Sequence, residues 1–265
     1  MDYQEYKNSL YLKLAEQLAA YGWILVSVTA ASPIIDSSFV EKGVYGRDIF
    51  TGMASVRCSE MGYWNEFAPV FDYSSVRAYA DSIQKYVDRG LLKAPSELYY
   101  PIRLKPRGEN GLEALRRHGA DHIELRMFDL NPLAEVGVEA RDVRFAQLLM
   151  VWLTSVPTVS LTQKDQIQAV QNFKNAAHYD LKTVGILNPD KDSMPATEAA
   201  LAIIRRMKEF YGKLGLPVQE ILEFEYEKFT DARNRYAWKI REQFQDGYVK
   251  KALELIKERQ EKVNV

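Results

Sequence analysis

The chain has 265 residues, enough for one large domain or two small ones with a substantial core. Apolar residues make up 47% and charged residues 27%, and Lys+Arg 35 against Asp+Glu 36 leaves a formal charge of -1. No global field therefore recruits nucleic acid, so any anion must be held by a local cluster of cations, and the single Cys58 excludes an internal disulfide and a multi-cysteine zinc site.

The opening MDYQEYKNSLYLKLAEQ is charged from residue 2 and lacks the apolar core of a signal peptide. Residues 3 to 28 place Tyr3, Tyr6, Leu10, Leu14, Leu18, Tyr21 and Leu25 at spacings of three and four, the stripe of one long amphipathic helix ending before Pro33. The longest apolar run, WILVSVTAA at 23 to 31, is too short to cross a bilayer, and a cytoplasmic protein is expected. From 34 to 72 Gly43, Gly46, Gly52 and Gly62 punctuate the text, so loops are expected, with a strand at ASVRCS, 54 to 59. A helix follows at 74 to 89, with Ser74 or Ser75 as N-cap and Gly90 as the stop. Two strand-like segments, ELYYPIRLK at 97 to 105 and HIELRMFDL at 122 to 130, flank a short helix, GLEALRRHG. Beyond 139 the pattern is helical, over about 140 to 155, 163 to 177, 195 to 213, 218 to 229 and 232 to 262. The class is α+β, with a polar β-rich centre clasped by helices.

No P-loop, Rossmann turn, zincin or nucleophile-elbow motif is present. His118 and His122 fall on different elements, so with His178 they are expected at the surface or an interface, and Cys58 as a buried thiol. Arg103, Lys105 and Arg107 recur at period two and either decorate a solvated edge or face an anion. Glu124 and Arg126 likewise share one strand face, where they either pair or meet a polyanion. Arg57 shares a face with Ser59, and Gly62 then presents Tyr63, Trp64 and Asn65. Guanidinium forks suit carboxylate or phosphate, and a carboxylate among them suits Mg²⁺ held between phosphates. Together these residues fit a pocket for a nucleotide plus an amino acid.

ASVRCSEMGYWN, ELYYPIRLKPR and HIELRMFDLNPLAEVGVEARDVRFAQLLMVWL, with AASPIIDSSF upstream, resemble the bacterial glutamate–cysteine ligases in order and in register. The match runs from about residue 9 to 155, and RYAWKIREQFQDGYVKKALELIKERQ is similar to the end of the ligase region in bifunctional glutathione synthases. The resemblance implies a glutamine-synthetase-like curved antiparallel sheet wrapped by helices, with residues 1–160 as the C-terminal half of the catalytic domain and 161–265 as a helical region packed on it. It implies ATP activation of the glutamate γ-carboxylate to an acyl phosphate, which the cysteine amine attacks. Glu124 matches the family's Mg²⁺-binding carboxylate, Arg126 the arginine on the transferring phosphoryl group, and Arg57 the arginine that grips a substrate carboxylate. Tyr63 and Tyr99 match tyrosines around the cysteine, and Arg103 and Lys105 are assigned to ATP. Family members carry, before the first block, a segment of comparable length with further metal-binding carboxylates. A separate N-terminal ligase half is therefore the expected partner, docking on an exposed edge or apolar face. The competing expectations are a truncated homologue that binds without chemistry, and a γ-glutamyl ligase with another amine acceptor.

Overall fold

The computed structural model describes residues 2–189, 192–245 and 247–263. Helix α1 (Tyr3–Tyr21) starts on a capping box, in which Asp2 accepts from the Glu5 amide while the Glu5 side chain accepts from the Asp2 amide. The single long helix expected here is broken at Gly22, and a second helix, α2 (Trp23–Thr29), continues after it. A Cβ at Gly22 would stand 2.4 Å from the Leu18 carbonyl oxygen and 3.3 Å from the Phe173 ring, so only glycine permits this close turn. All seven residues of α2 are buried, because the helix is largely apolar and lies between α1 and two later helices, at Ala140–Ser155 and Gln163–Ala176.

A three-residue hairpin follows, β1 (Ile34–Asp36) antiparallel to β2 (Asp48–Phe50). Helix α3 (Val76–Asp88) starts on the Ser75 hydroxyl and stops at Gly90, as its caps foretell. Strand β3 (Ile102–Lys105) and β4 (His122–Leu125) pair antiparallel around α4 (Leu112–His118), in the register Arg103 with Glu124 and Leu104 with Ile123. Ile102 and Leu104 are buried, and β3 packs on α1. Then come α5 (Ala140–Ser155), α6 (Gln163–Ala176), the hairpin β5 (Gly185–Leu187) and β6 (Ser193–Pro195), and α7 (Ala196–Lys213). The chain closes with α8 (Gln219–Thr230), α9 (Tyr236–Gln243) and α10 (Tyr248–Val263).

The expected curved sheet does not form among the described residues, where the strands make three separate two-stranded pairs. Residues 54 to 59 are a tight turn with isolated bridges from Ser55 to Ser32 and from Met53 to His178, not a strand. Side-chain bonds from Ser55 and Ser59 offer that backbone an alternative to a ladder. Strand pairing is also shorter than expected at 97–105 and 122–130, and the helix expected over 232–262 is split into α9 and α10, with Gly247 at φ 114° between them.

One apolar core runs from Leu12 in α1 to Phe229 in α8. At its C-terminal side lies a buried charge cluster. Lys228 Nζ is 2.7 Å from Asp142 and 2.8 Å from Glu225, and it donates to the Val28 carbonyl at 3.0 Å, while the Tyr236 hydroxyl donates to Asp142 at 3.0 Å. Burial, opposed by the Lys228 ammonium and reinforced by the neighbouring Asp142 carboxylate, pushes Glu225 up to about 8.

Candidate functional site

The turn at 55–65 is the scaffold of the site. Its glycine is obligatory: a Cβ at Gly62 would lie 1.8 Å from the Arg57 carbonyl oxygen and 2.8 Å from that of Val56. This close approach swings the chain back so that Arg57, Tyr63 and Trp64 face one side. The Trp64 indole donates to the Ser59 carbonyl at 2.8 Å, and Lys174 stands 5.3 Å from its ring centre. The Arg57 guanidinium donates to the Phe128 carbonyl, which joins the turn to the strip that leaves β4. Cys58 is buried beneath, with its thiol donating to the Met127 carbonyl at 3.4 Å. Burial, reinforced by the charge of Asp129, pushes that thiol up to about 12, so it is an inert wall rather than a nucleophile.

The opposite wall is residues 98–101, which leave a 3-10 turn at Pro95–Glu97 and are not paired in a sheet. Asn65 substitutes for the missing ladder, donating to the Glu97 carbonyl at 2.9 Å and accepting from the Tyr99 amide at 2.8 Å. The Tyr63 and Tyr99 rings thereby sit 6.2 Å apart, both exposed. Arg126 donates to the Leu98 carbonyl at 3.0 Å and lies 5.9 Å from the Tyr99 ring centre.

These segments enclose an open cleft of about 120 Å³. Arg57, Tyr63, Tyr99 and Arg126 line its mouth, and Val26, Cys58, Met127 and Phe173 line its floor. Four of the residues singled out in the sequence thus converge although they span positions 57 to 126. Glu124, Arg103 and Lys105 stand beside the cleft on β3 and β4 and are not among its lining residues. Glu124 does not pair with Arg126; it faces Arg103 across the ladder and forms an ion pair with Lys105 at 3.3 Å. Its Oε2 is buried and makes no hydrogen bond. Burial, then the nearby Arg126 guanidinium, lowers the Arg103 pKa, although Arg103 also donates to the Pro95 carbonyl at 3.1 Å.

That electrostatic arrangement fits a phosphate group. Two guanidinium groups close enough to repel, with a lysine beside them, gain from an anion placed between. The fit to a metal is poorer, because among the described residues no three His, Cys, Asp or Glu side chains converge. Glu124 is a single carboxylate already facing an ammonium, which does not make a Mg²⁺ site by itself.

A family model described as glutamate-cysteine ligase matches residues 1–93 and 67–176, together residues 1–176. The chain belongs to the glutamate–cysteine ligase family. The glutathione biosynthesis bifunctional protein of Listeria monocytogenes serotype 4b is 30% identical over 257 residues, covering 93% of this chain and 33% of that protein. That of Clostridium perfringens is 32% identical over 184 residues, 66% of this chain and 24% of that protein. The chain therefore spans about a third or less of the length of the curated relatives it matches. In fold it is similar to the glutamate–cysteine ligase of Francisella tularensis solved in complex with AMP, with a TM-score of 0.82 at 20% identity, over 96% of this chain and 58% of that one. A bifunctional glutathione synthetase from Pasteurella multocida gives a TM-score of 0.69 at 24% identity, over 89% of this chain and 30% of that one.

In this ligase-family chain, the sequence did not reveal the Asn65 clamp, the Phe173 floor or the buried Asp129 carboxylate. Phe173 lies on α6, over a hundred positions from the turn it faces, and only the tertiary fold joins them. Asp129 carried one available signal, an acid alone in the apolar run MFDL.

Proposed function

We propose that the chain is the part of a γ-glutamyl ligase that joins the γ-carboxyl of L-glutamate to the amine of L-cysteine at the expense of ATP. The carrying observation is the convergence of Arg57, Tyr63, Tyr99 and Arg126 on one cleft, with the Arg103, Lys105 and Glu124 cluster at its side.

In this reading Arg57 holds a substrate carboxylate by fork geometry, and Tyr63 and Tyr99 hold the acceptor by their hydroxyls and ring faces. Arg126, tied to the Leu98 carbonyl, is aimed before substrate arrives and stabilises the phosphoryl group as it moves from ATP to the γ-carboxylate. Arg103 and Lys105 extend the cationic side toward the nucleotide phosphates. The acceptor amine then attacks the acyl carbon, phosphate departs, and the amine gives up a proton. Glu124 is the carboxylate here that would contribute to holding a Mg²⁺ ion, whose chemistry would be to neutralise phosphate charge; among the described residues no cluster completes such a site.

The lone carboxylate motivates a second reading, a module that binds the anionic substrates without completing the transfer. One assay separates them: ADP and γ-glutamylcysteine formation from ATP, glutamate and cysteine, by this chain alone and with the remaining ligase region of a relative. Ligation in the mixture supports the ligase. Substrate binding with no turnover in either arm leaves the binding module, and turnover with another amine in place of cysteine moves the acceptor.

A further inference from the structure

The cleft is built over a buried charge that no step above uses. Asp129 is 5% exposed. One of its carboxylate oxygens accepts from the Ala31 amide at 2.9 Å and the Ser32 hydroxyl at 2.7 Å, and the other accepts from the Ser55 hydroxyl at 2.9 Å. All three donors are neutral, so burial outweighs them and raises the acid's pKa. A joint between these segments could be made from neutral side chains without that cost. What the carboxylate adds is a field. Arg57 is the cation that opposes the burial effect on Asp129, and its guanidinium donates to the carbonyl of Phe128, the preceding residue. The connection is also mechanical, because the Ser55 hydroxyl that donates to Asp129 accepts from the Cys58 amide at 3.2 Å, and Ser55 bridges Ser32 through the backbone. The turn carrying Arg57 is therefore tied to Asp129 at its N-terminal end through Ser55.

We propose that Asp129 is the positioning residue of this cleft: by tying residues 31, 32 and 55 together under the turn, and by its charge, it fixes where the Arg57 guanidinium stands. It touches no substrate. The effect on turnover rests on the ligase reading; the placement of Arg57 does not.

The test uses the chain itself, with Arg57 assigned in arginine side-chain NMR spectra through Arg57→Lys. Asp129→Asn keeps the shape and removes the charge, while Ser55→Ala cuts one tie and keeps the charge. In the wild type the signal of the Arg57 Nη1–H, the group bonded to the Phe128 carbonyl, is expected to be distinct and slow to exchange, and in Asp129→Asn it moves to the position and exchange rate of a free arginine. Cys58, the single thiol, supplies an independent reporter. Asp129 raises its pKa and the Ser55 hydroxyl lowers it, so alkylation at one fixed pH should be faster in Asp129→Asn and slower in Ser55→Ala. General loosening would speed both. An unchanged Arg57 signal in folded Asp129→Asn, or faster alkylation in both variants, overturns the proposal. If Asp129→Asn does not fold, Ser55→Ala decides alone: the proposal requires faster exchange at Arg57 together with slower alkylation of Cys58, and an unchanged Arg57 signal overturns it. In the ligase assay the expected effect of Asp129→Asn is a KM rise of about tenfold for the substrate Arg57 holds, with kcat within about twofold. A wild type that ligates nothing would sink the functional reading while leaving the NMR and alkylation results to judge the placement.

Discussion

At the cleft mouth, single side chains divide into those that face the open cleft and those that hold its wall. Tyr63 and Tyr99 are 68% and 40% exposed, too open to be core residues, so a Tyr→Phe change at either costs little stability. Each is expected to weaken acceptor binding by about 1 to 2 kcal/mol, seen as a KM increase confined to cysteine. Equal shifts for all three substrates would refute the acceptor role. Arg126→Lys keeps the charge and loses the fork, and kcat should fall on the order of a hundredfold or more with little change in the cysteine KM. Gly62→Ala must push the Arg57 carbonyl away, at a cost of about 1 to 3 kcal/mol in denaturant unfolding. The four residues that converge on the cleft were legible because their chemical type and order carry the signal. Glu124 was less so: the same-face rule placed it beside Arg126, but β4 ends at Leu125, and the register of β3 gave it Arg103 and Lys105 as neighbours. Asn65 and Asp129 were not legible as fixtures, since their partners, backbone groups for Asn65 and one amide plus two serine hydroxyls for Asp129, are brought close only by folding.

Among the elements, the contact of α8 with α5 and α2 through Lys228 is the most exposed to solution conditions. Glu225 sits at about 8 in the fold against about 4.3 in an unfolded chain, so between those values the folded protein keeps a proton the unfolded one has released. Its contribution to stability is full below that window, declines as pH rises through it and levels off above. Glu225→Gln, permanently neutral, removes this decline. Melting temperatures from pH 5 to 8 should therefore fall more steeply for the wild type than for the variant, and parallel curves would refute the assignment. Lys228→Met strands the buried Asp142 carboxylate beside Glu225 and should cost about 3 to 5 kcal/mol, read from urea midpoints. Helical segments were legible, though not the breaks within residues 3–28 and 232–262, because a stripe of three or four turns averages out exceptions, and the caps at Ser75 and Gly90 set boundaries directly. The hairpins β1–β2 and β5–β6 have three residues per strand, too short for a period to register. The break at Gly22 was hidden because the apolar stripe runs through it unbroken; what forbids a straight helix is the Leu18 carbonyl, a packing fact.

For the molecule as a whole, the apolar core closes without help, yet the chemistry of the cleft is open on one side. Phe39, Val40 and Tyr45 on the β1–β2 hairpin and Leu130 and Val136 after β4 remain largely exposed. Purified alone, the chain is expected to form little or no γ-glutamylcysteine, and a matching ligase region should restore synthesis while slowing amide exchange over 38–46 and 130–137. Rapid synthesis by the chain alone would refute that dependence. The class, helices around a β-containing centre, was legible from patterning; the single curved sheet was an inference from kinship, and the strands described here form separate pairs.

The Lys228 to Val28 bond also sets a timetable. Its partners are 200 positions apart, and Gln17 donates to the Pro157 carbonyl across 140. A ribosome adds about 5 to 20 residues per second, so roughly 10 to 40 seconds separate the emergence of α2 from that of the ammonium that caps it. During that interval WILVSVT, buried on every side in the finished molecule, is an unshielded apolar segment of the nascent chain. The helix at the centre of the fold is made about 200 residues before the side chain that secures its end, and a chaperone that engages this protein during synthesis should be found there.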